Sequence, residues 1–285
     1  MISRCYLEII NTCNLHCKFC PKTTRRKHIM NIEEFENLTN KLRNEVKFLY
    51  FHLMGEPLLH PRLPEFISIA HNKGFIPIIT TNGTLLNHQE SLINAKPYKI
   101  QISLQAHEGN TSESPYEYIY NVVQFALKAA ESGIIIILRL WNEGGAETLN
   151  KQITDTIQSL IPTQWKERHD GWKINDNLFI EFDKVFEWPN IDTKPIEDNS
   201  LFCHALRNQI GVLVDGTVVP CCLDHNGDIN LGNLHQATLA EILNSQRAKN
   251  IYNGFSNHTA IEELCQRCGY AKVKNYRNSE KNNNL

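Results

Sequence analysis

Cys13, Cys17 and Cys20 stand in the run Cys-Asn-Leu-His-Cys-Lys-Phe-Cys, three thiols in eight residues at C-x3-C-x2-C spacing. Clustered thiols in a chain without a secretory signal point to metal or redox work. A structural zinc site takes four protein ligands, and this run offers three. A [4Fe–4S] cluster also needs four ligands. Three thiolates would leave one iron open to a small molecule, and an open iron can do chemistry as well as carry electrons.

A second set lies far downstream. Cys203 is followed by twelve residues, Gly216, four more residues and Cys221, and Cys265-x2-Cys268 closes the set. Four thiolates can saturate an iron–sulfur cluster or a structural zinc, and ligand count alone does not separate the two. Of the remaining thiols, Cys5 is expected to be structural. Cys222 is either a buried thiol or an alternate ligand beside Cys221.

Composition narrows the setting. The chain has 285 residues and 41% hydrophobic content, enough for a full core plus a smaller second unit. No run of 18 apolar residues exists, so no membrane-spanning helix is expected. The N-terminus lacks the pattern of a signal peptide, and nine cysteines is an odd count. A reducing, cytoplasmic location is therefore expected. A net charge of −2 argues against a general nucleic-acid binder. One basic run, Lys22, Arg25, Arg26 and Lys27, reads as a solvated loop or as a clamp on an anionic substrate.

The elements that must carry these thiols alternate. Strands are expected at 5–10, 48–53, 76–81, 99–105, 134–141 and 178–183, and helices at 32–44, 63–73, 86–94, 116–132 and 147–160. Repeated strand–helix steps imply a parallel sheet. Six units are too few for a closed eight-stranded barrel, so an open partial barrel is expected. Several strands alternate apolar and polar residues, and strand side chains alternate faces. One face thus meets helices while the other lines a wet lumen. Tyr6, Glu8, His52, Thr80, Asn82, Ser103, Gln105, Arg139, Glu181 and Asp183 are the lumen candidates. His16 reads as a solvated loop residue.

Residues 187–200 read as a linker. Beyond it, Asp215-Gly216 signals a hairpin turn, and a helix is expected over 238–249, capped by Thr238 with Glu241 three residues on. The expected organisation is a core over 1–186, the linker, a small unit over 201–272 and a polar tail over 273–285.

These motifs resemble the radical S-adenosylmethionine (SAM) superfamily. Its signature is C-x3-C-x2-C with an aromatic residue before the last cysteine, here Phe19, and its fold is a partial (β/α)6 TIM-like barrel. Met54-Gly55-Glu56-Pro57 resembles the family's Gly-Gly-Glu-Pro motif, which binds the SAM amino group, with Met54 replacing the first glycine. Thr80-Thr81-Asn82-Gly83 is similar to the segment near the SAM sugar and carboxylate, and Ser103 and Arg139 resemble ribose- and carboxylate-binding positions. The resemblance implies SAM on the open iron of a [4Fe–4S] cluster. One electron then cleaves SAM to methionine and a 5′-deoxyadenosyl radical, which removes a substrate hydrogen. It also implies an electron donor such as flavodoxin or ferredoxin.

The Cys203–Cys221–Cys265–Cys268 set resembles the SPASM/twitch extension of this superfamily. No cysteine follows Cys268, so the shorter twitch form with one auxiliary [4Fe–4S] cluster is expected. The architecture is similar to that of the aminocyclitol dehydrogenases, which implies oxidation of a substrate carbon with Glu181 or Asp183 as proton acceptor. Three other readings stand beside it. One is a peptide-modifying enzyme, against which the early start of the barrel leaves no room for a leader-binding domain. Another is a molybdopterin-type nucleotide cyclase, whose second cluster uses three cysteines. The last is a non-catalytic iron–sulfur scaffold.

Overall fold

Apolar residues spaced two apart turn the strands toward their helices. Leu7, Leu49, Phe51, Ile79, Ile100, Ile102, Leu138 and Ile180 are fully buried, as are Phe35, Leu38, Phe66, Ile67, Val122 and Ala126 on the facing helices. Each large side chain so buried contributes roughly 1.5–3 kcal/mol. The computed structural model describes residues 2–87, 89–109, 114–196 and 202–273. The element order begins β1 (Arg4–Leu7), α1 (Ile32–Leu42), β2 (Phe48–Tyr50), α2 (Leu63–Asn72), β3 (Ile76–Thr81), α3 (Glu90–Asn94), β4 (Lys99–Ser103) and α4 (Pro115–Glu131). It continues with β5 (Ile135–Glu143), α5 (Asn150–Leu160), β6 (Lys166–Arg168), β7 (Gly171–Lys173) and β8 (Leu178–Lys184). The last elements are β9 (Gln209–Val212), β10 (Thr217–Val219), β11 (Gly232–Asn233), α6 (Leu239–Leu243) and α7 (Gln246–Ser256).

The six expected strands, β1 to β5 and β8, pair side by side and all parallel. The full sheet order is β11-β10-β9-β1-β2-β3-β4-β5-β8-β7-β6, with a free edge at each end. It is an open α/β sheet of the partial-barrel kind. Helix starts follow local chemistry: Asn31 with Glu34, Ser114 with Glu117, and Thr238 with Glu241 each form a reciprocal capping box.

Several elements differ from expectation. The hairpin β6–β7 extends the sheet antiparallel to β8. Lys166, Glu167 and Arg168 are all exposed, so no alternation announces it. The C-terminal hairpin does not stand apart from the core, because β9 pairs parallel with β1 and continues the same sheet. Its loop holds four residues, Leu213 to Gly216, with Gly216 at φ +84°. The single helix expected over 238–249 is two helices, because Asn244 ends α6 and Ser245 caps α7. The helix expected over 86–94 is only Glu90–Asn94. The end of the expected linker, 197–200, and all but the first residue of the polar tail lie outside the described residues.

Candidate functional site

The first cysteine run leaves β1 and turns across the ends of β2 and β3. Its thiols sense one another: burial pushes the Cys17 thiol up to about 12, with the charges of Cys13 and Cys20 adding to the rise. Cys13 is exposed while Cys17 is buried. The Cys13 sulfur accepts from Leu15 N at 3.4 Å and from Asn82 Nδ2 at 3.7 Å. Asn82 also donates to Asn14 at 2.9 Å, and Asn14 donates to Thr84 at 2.8 Å. These bonds latch the cysteine loop to the turn after β3. Phe19 is 36% exposed.

Two motif residues also hold the local structure together. Gly55 has φ +80°, and a Cβ there would lie 2.3 Å from the Ile10 carbonyl oxygen. The glycine is thus required by close approach to the chain just before the cysteine loop. Glu56 is 2% exposed, and its carboxylate accepts from Leu58 N, Thr81 Oγ1 and Asn82 N at 3.0, 2.7 and 2.7 Å. A carboxylate offers about four acceptor sites, so about one is left for a ligand amine. Burial pushes Glu56 up to about 6, against the pull of those three donors.

Strand register sorts the lumen candidates into rows. Tyr6, Tyr50, Ile78 and Lys99 form one row across β1 to β4. Ser103, Arg139 and Glu181 form another across β4, β5 and β8. Asp183, two residues beyond Glu181, is 8% exposed on the same face. Tyr6 stacks on Tyr50 at 4.7 Å, and His52 stands edge-on to Tyr6 at 5.4 Å. The Arg139 guanidinium lies 4.0 Å from the Trp141 ring centre. Arg139 Nε, His52 Nδ1 and Gln105 Oε1 are buried without a hydrogen-bond partner among the described residues. Burial, then the Arg139 charge, drives His52 down to about 3, which keeps it neutral. Thr80 donates to Gln101 at 3.0 Å, so that pair is self-satisfied. Unsatisfied polar atoms on one inner face are the signature of a ligand site.

Glu8 leaves the list of lumen ligands. It is wholly buried and takes a two-pronged contact from Arg25 at 2.8 and 2.6 Å. It also accepts from Met54 N at 3.1 Å and Val214 N at 3.0 Å. Arg25 in turn donates to the His225 carbonyl at 3.0 Å, and Thr23 bonds Asn226 at 2.9 Å. Arg25 is therefore no substrate clamp. One carboxylate joins the first cysteine loop, the Met54 turn and the C-terminal hairpin.

Cys203, Cys221, Cys265 and Cys268 line a single cavity with Pro189, Pro220 and Leu264. Cys221 feels the charges of Cys203, Cys265 and Cys268, and burial is the first cause of its raised pKa. Cys222 does not line this cavity. It packs with Leu53, Met54, Leu213 and Val219 beside Cys20, so the apolar cluster between the two cysteine sites contains it. Cys5 is buried in the main core. Among the described residues, no group of three or more His, Cys, Asp or Glu side chains is placed to hold a metal ion. Four thiols on the walls of one cavity match the ligand count of a [4Fe–4S] cluster or of a structural zinc. Three thiols on one loop match a [4Fe–4S] cluster with one position left open.

Sequence comparison agrees with that geometry. A model of the radical SAM superfamily matches residues 7–144, and one of an iron–sulfur cluster-binding SPASM domain matches 203–269. The chain belongs to the radical SAM superfamily and carries a SPASM/twitch extension. SAM, a [4Fe–4S] cluster and auxiliary iron–sulfur binding go with these domains. The chain is 35% identical over 88 residues to a "tungsten-containing aldehyde ferredoxin oxidoreductase cofactor-modifying protein" of Pyrococcus furiosus, spanning 30% of the chain and 25% of that protein. It is 27% identical over 262 residues to a "probable GTP 3′,8-cyclase" of Methanococcus maripaludis, spanning 80% of the chain and 87% of that protein. In fold it is similar to BtrN in complex with AdoMet and 2-DOIA, with a TM-score of 0.60, 19% identity and coverage of 94% and 93%. It is also similar to anSMEcpe with bound AdoMet and the Cp18Cys peptide, with a TM-score of 0.62, 15% identity and coverage of 96% and 88%.

Proposed function

We propose that this chain is a radical SAM oxidoreductase of the dehydrogenase type, acting on a small substrate held in the barrel lumen. The observation that carries the reading is the cavity walled by Cys203, Cys221, Cys265 and Cys268. Four protein thiolates saturate a cluster, so it has no iron left for substrate and is suited to accept an electron.

SAM bound at the first cluster supplies a 5′-deoxyadenosyl radical that removes one substrate hydrogen atom. Cys13, Cys17 and Cys20 hold that cluster. The Met54 backbone, Gly55, Glu56, Thr81, Asn82, Ser103 and Arg139 orient SAM, with Phe19 at the loop edge. Glu181 or Asp183 would accept the proton given up at the substrate carbon, and a cluster held by Cys203, Cys221, Cys265 and Cys268 would supply a place for the electron. Arg139 lies in register beside Glu181.

Anaerobic reconstitution followed by dithionite reduction in the presence of SAM tests the reading. About eight irons per chain, as two [4Fe–4S] clusters require, and release of 5′-deoxyadenosine support it. About four irons and one zinc would remove the second cluster and the electron-acceptor role with it. A fully loaded, reduced protein that leaves SAM intact would be a scaffold.

The match to the Methanococcus protein favours a second reading, a nucleotide cyclase. The four-thiol cavity stands against it. Consumption of GTP by the reconstituted protein would decide for it.

A further inference from the structure

The stretch from residue 9 to residue 32 contains no aspartate or glutamate, yet it holds Lys18, Lys22, Arg25, Arg26 and Lys27. The whole chain carries 29 basic and 31 acidic residues, so this is a local excess. Arg25 is withdrawn from it by Glu8. Lys18, Lys22, Arg26 and Lys27 are exposed, and none forms an ion pair with a described residue. Glu34, the carboxylate that reaches back to this loop, is engaged by His28 at 3.0 Å. Phe19 and Ile29, 36% and 50% exposed, add apolar surface among the cations.

Position gives this surface its meaning. Lys18 lies between Cys17 and Cys20, and Lys22 follows Cys20 by two residues. The loop is anchored behind, by Thr23 and Arg25 to the 225–226 turn and by Asn11 to Arg26 O and His28 N. Lys18 and Lys22 thus border the first cysteine site, and Arg26 and Lys27 follow on the same anchored loop.

We infer that Lys18, Lys22, Arg26 and Lys27 form the docking surface for an acidic one-electron carrier protein that reduces the first cluster. The inference rests on the radical SAM reading above. The step moves no atoms: one electron leaves the carrier, as from a flavin hydroquinone to its semiquinone, and one enters the oxidised cluster. Complementary charge would steer encounter and set its salt dependence, while the exposed Phe19 and Ile29 would supply short-range contact.

Purified flavodoxin is the probe, with dithionite as the small reductant. Two things are measured on Lys22→Glu/Arg26→Glu/Lys27→Glu and on the control Lys128→Glu: affinity for oxidised flavodoxin across salt concentrations, and the rate of cluster bleaching by reduced flavodoxin. The triple variant should lose at least about tenfold in both at low salt and show a flattened salt dependence. The control should behave as wild type, and dithionite-driven 5′-deoxyadenosine formation should be unchanged in every variant. Should the triple variant fold poorly, Lys27→Glu alone and the wild-type salt dependence give the same readouts. Unchanged flavodoxin affinity and bleaching would overturn the inference. So would tight tRNA binding that the triple variant abolishes while flavodoxin reduction survives, since the surface would then serve nucleic acid. Loss of dithionite-driven cleavage in the wild type would instead strike the underlying enzyme reading.

Discussion

The Glu8 carboxylate, one residue past β1, meets the Arg25 guanidinium at 2.6 Å, with Glu8 wholly buried and the Arg25 side chain 13% exposed. Sixteen residues, among them the whole first cysteine run, lie between them. The pair closes that run into a loop, and the backbone donors of Met54 and Val214 fill the rest of the carboxylate. The loop, the Met54 turn and the C-terminal hairpin are thus held to one another through a single charge.

Removing one partner of such a pair leaves a buried charge uncompensated. Arg25→Ala should lose roughly 3–5 kcal/mol, whereas the double change Glu8→Met/Arg25→Met should lose far less. Burial already raises the Glu8 pKa, and losing Arg25 raises it further. For a carboxyl raised above its unfolded value, the native state binds the proton more readily, so stability falls as pH rises. The Arg25→Ala deficit should therefore be largest near pH 8 and shrink toward pH 5. Urea unfolding at the two pH values measures it, and an equal deficit at both would mean that Glu8 does not carry the effect.

Gly55 tolerates no side chain. A Cβ would sit 2.3 Å from Ile10 O, at a φ of +80°. Gly55→Ala should cost at least about 2 kcal/mol from left-handed strain and the clash together. An unchanged melting temperature would show that the turn can move away from β1.

Glu56 gives a second pH signature. Its carboxyl is raised from 4.5 to about 6, chiefly by burial. Its contribution to stability is present below the unfolded value and is lost as pH rises through about 6. That shift corresponds to about 2 kcal/mol. The stability difference between wild type and Glu56→Gln should change by about this amount between pH 4 and 7. A constant difference would mean that Glu56 titrates as it does in the unfolded chain.

Arg139 carries a buried Nε with no hydrogen-bond partner among the described residues. If SAM fills that vacancy, Arg139→Gln should weaken SAM affinity by about 10- to 100-fold, the range of a charged hydrogen bond. Iron content should not change. Equilibrium dialysis with labelled SAM on the reconstituted variant reads this directly, and equal affinity would assign Arg139 to the substrate.

Much of this was legible because parallel strands write their faces into the chain. Leu49 and Phe51, or Ile100 and Ile102, declare the outer face by spacing alone, and the six strands followed. The β6–β7 hairpin was not legible, since Lys166, Glu167 and Arg168 are all exposed and show no alternation. Glu8 shows a different limit. Parity placed it correctly on the inner face, but its partner is Arg25, in a loop whose direction no local rule fixes. The break in the last helical segment had a signal: Ser245 is a good N-cap inside an otherwise helical run.

The most direct measurement is the iron content and EPR spectrum of the triple variant Cys13→Ala/Cys17→Ala/Cys20→Ala after anaerobic reconstitution. The expected result is about four irons per chain, no zinc, and a reduced [4Fe–4S] signal that SAM does not perturb, because Cys203, Cys221, Cys265 and Cys268 occupy every ligand position. Zinc in place of iron, or a signal that shifts when SAM is added, would contradict a second cluster closed by four protein thiolates.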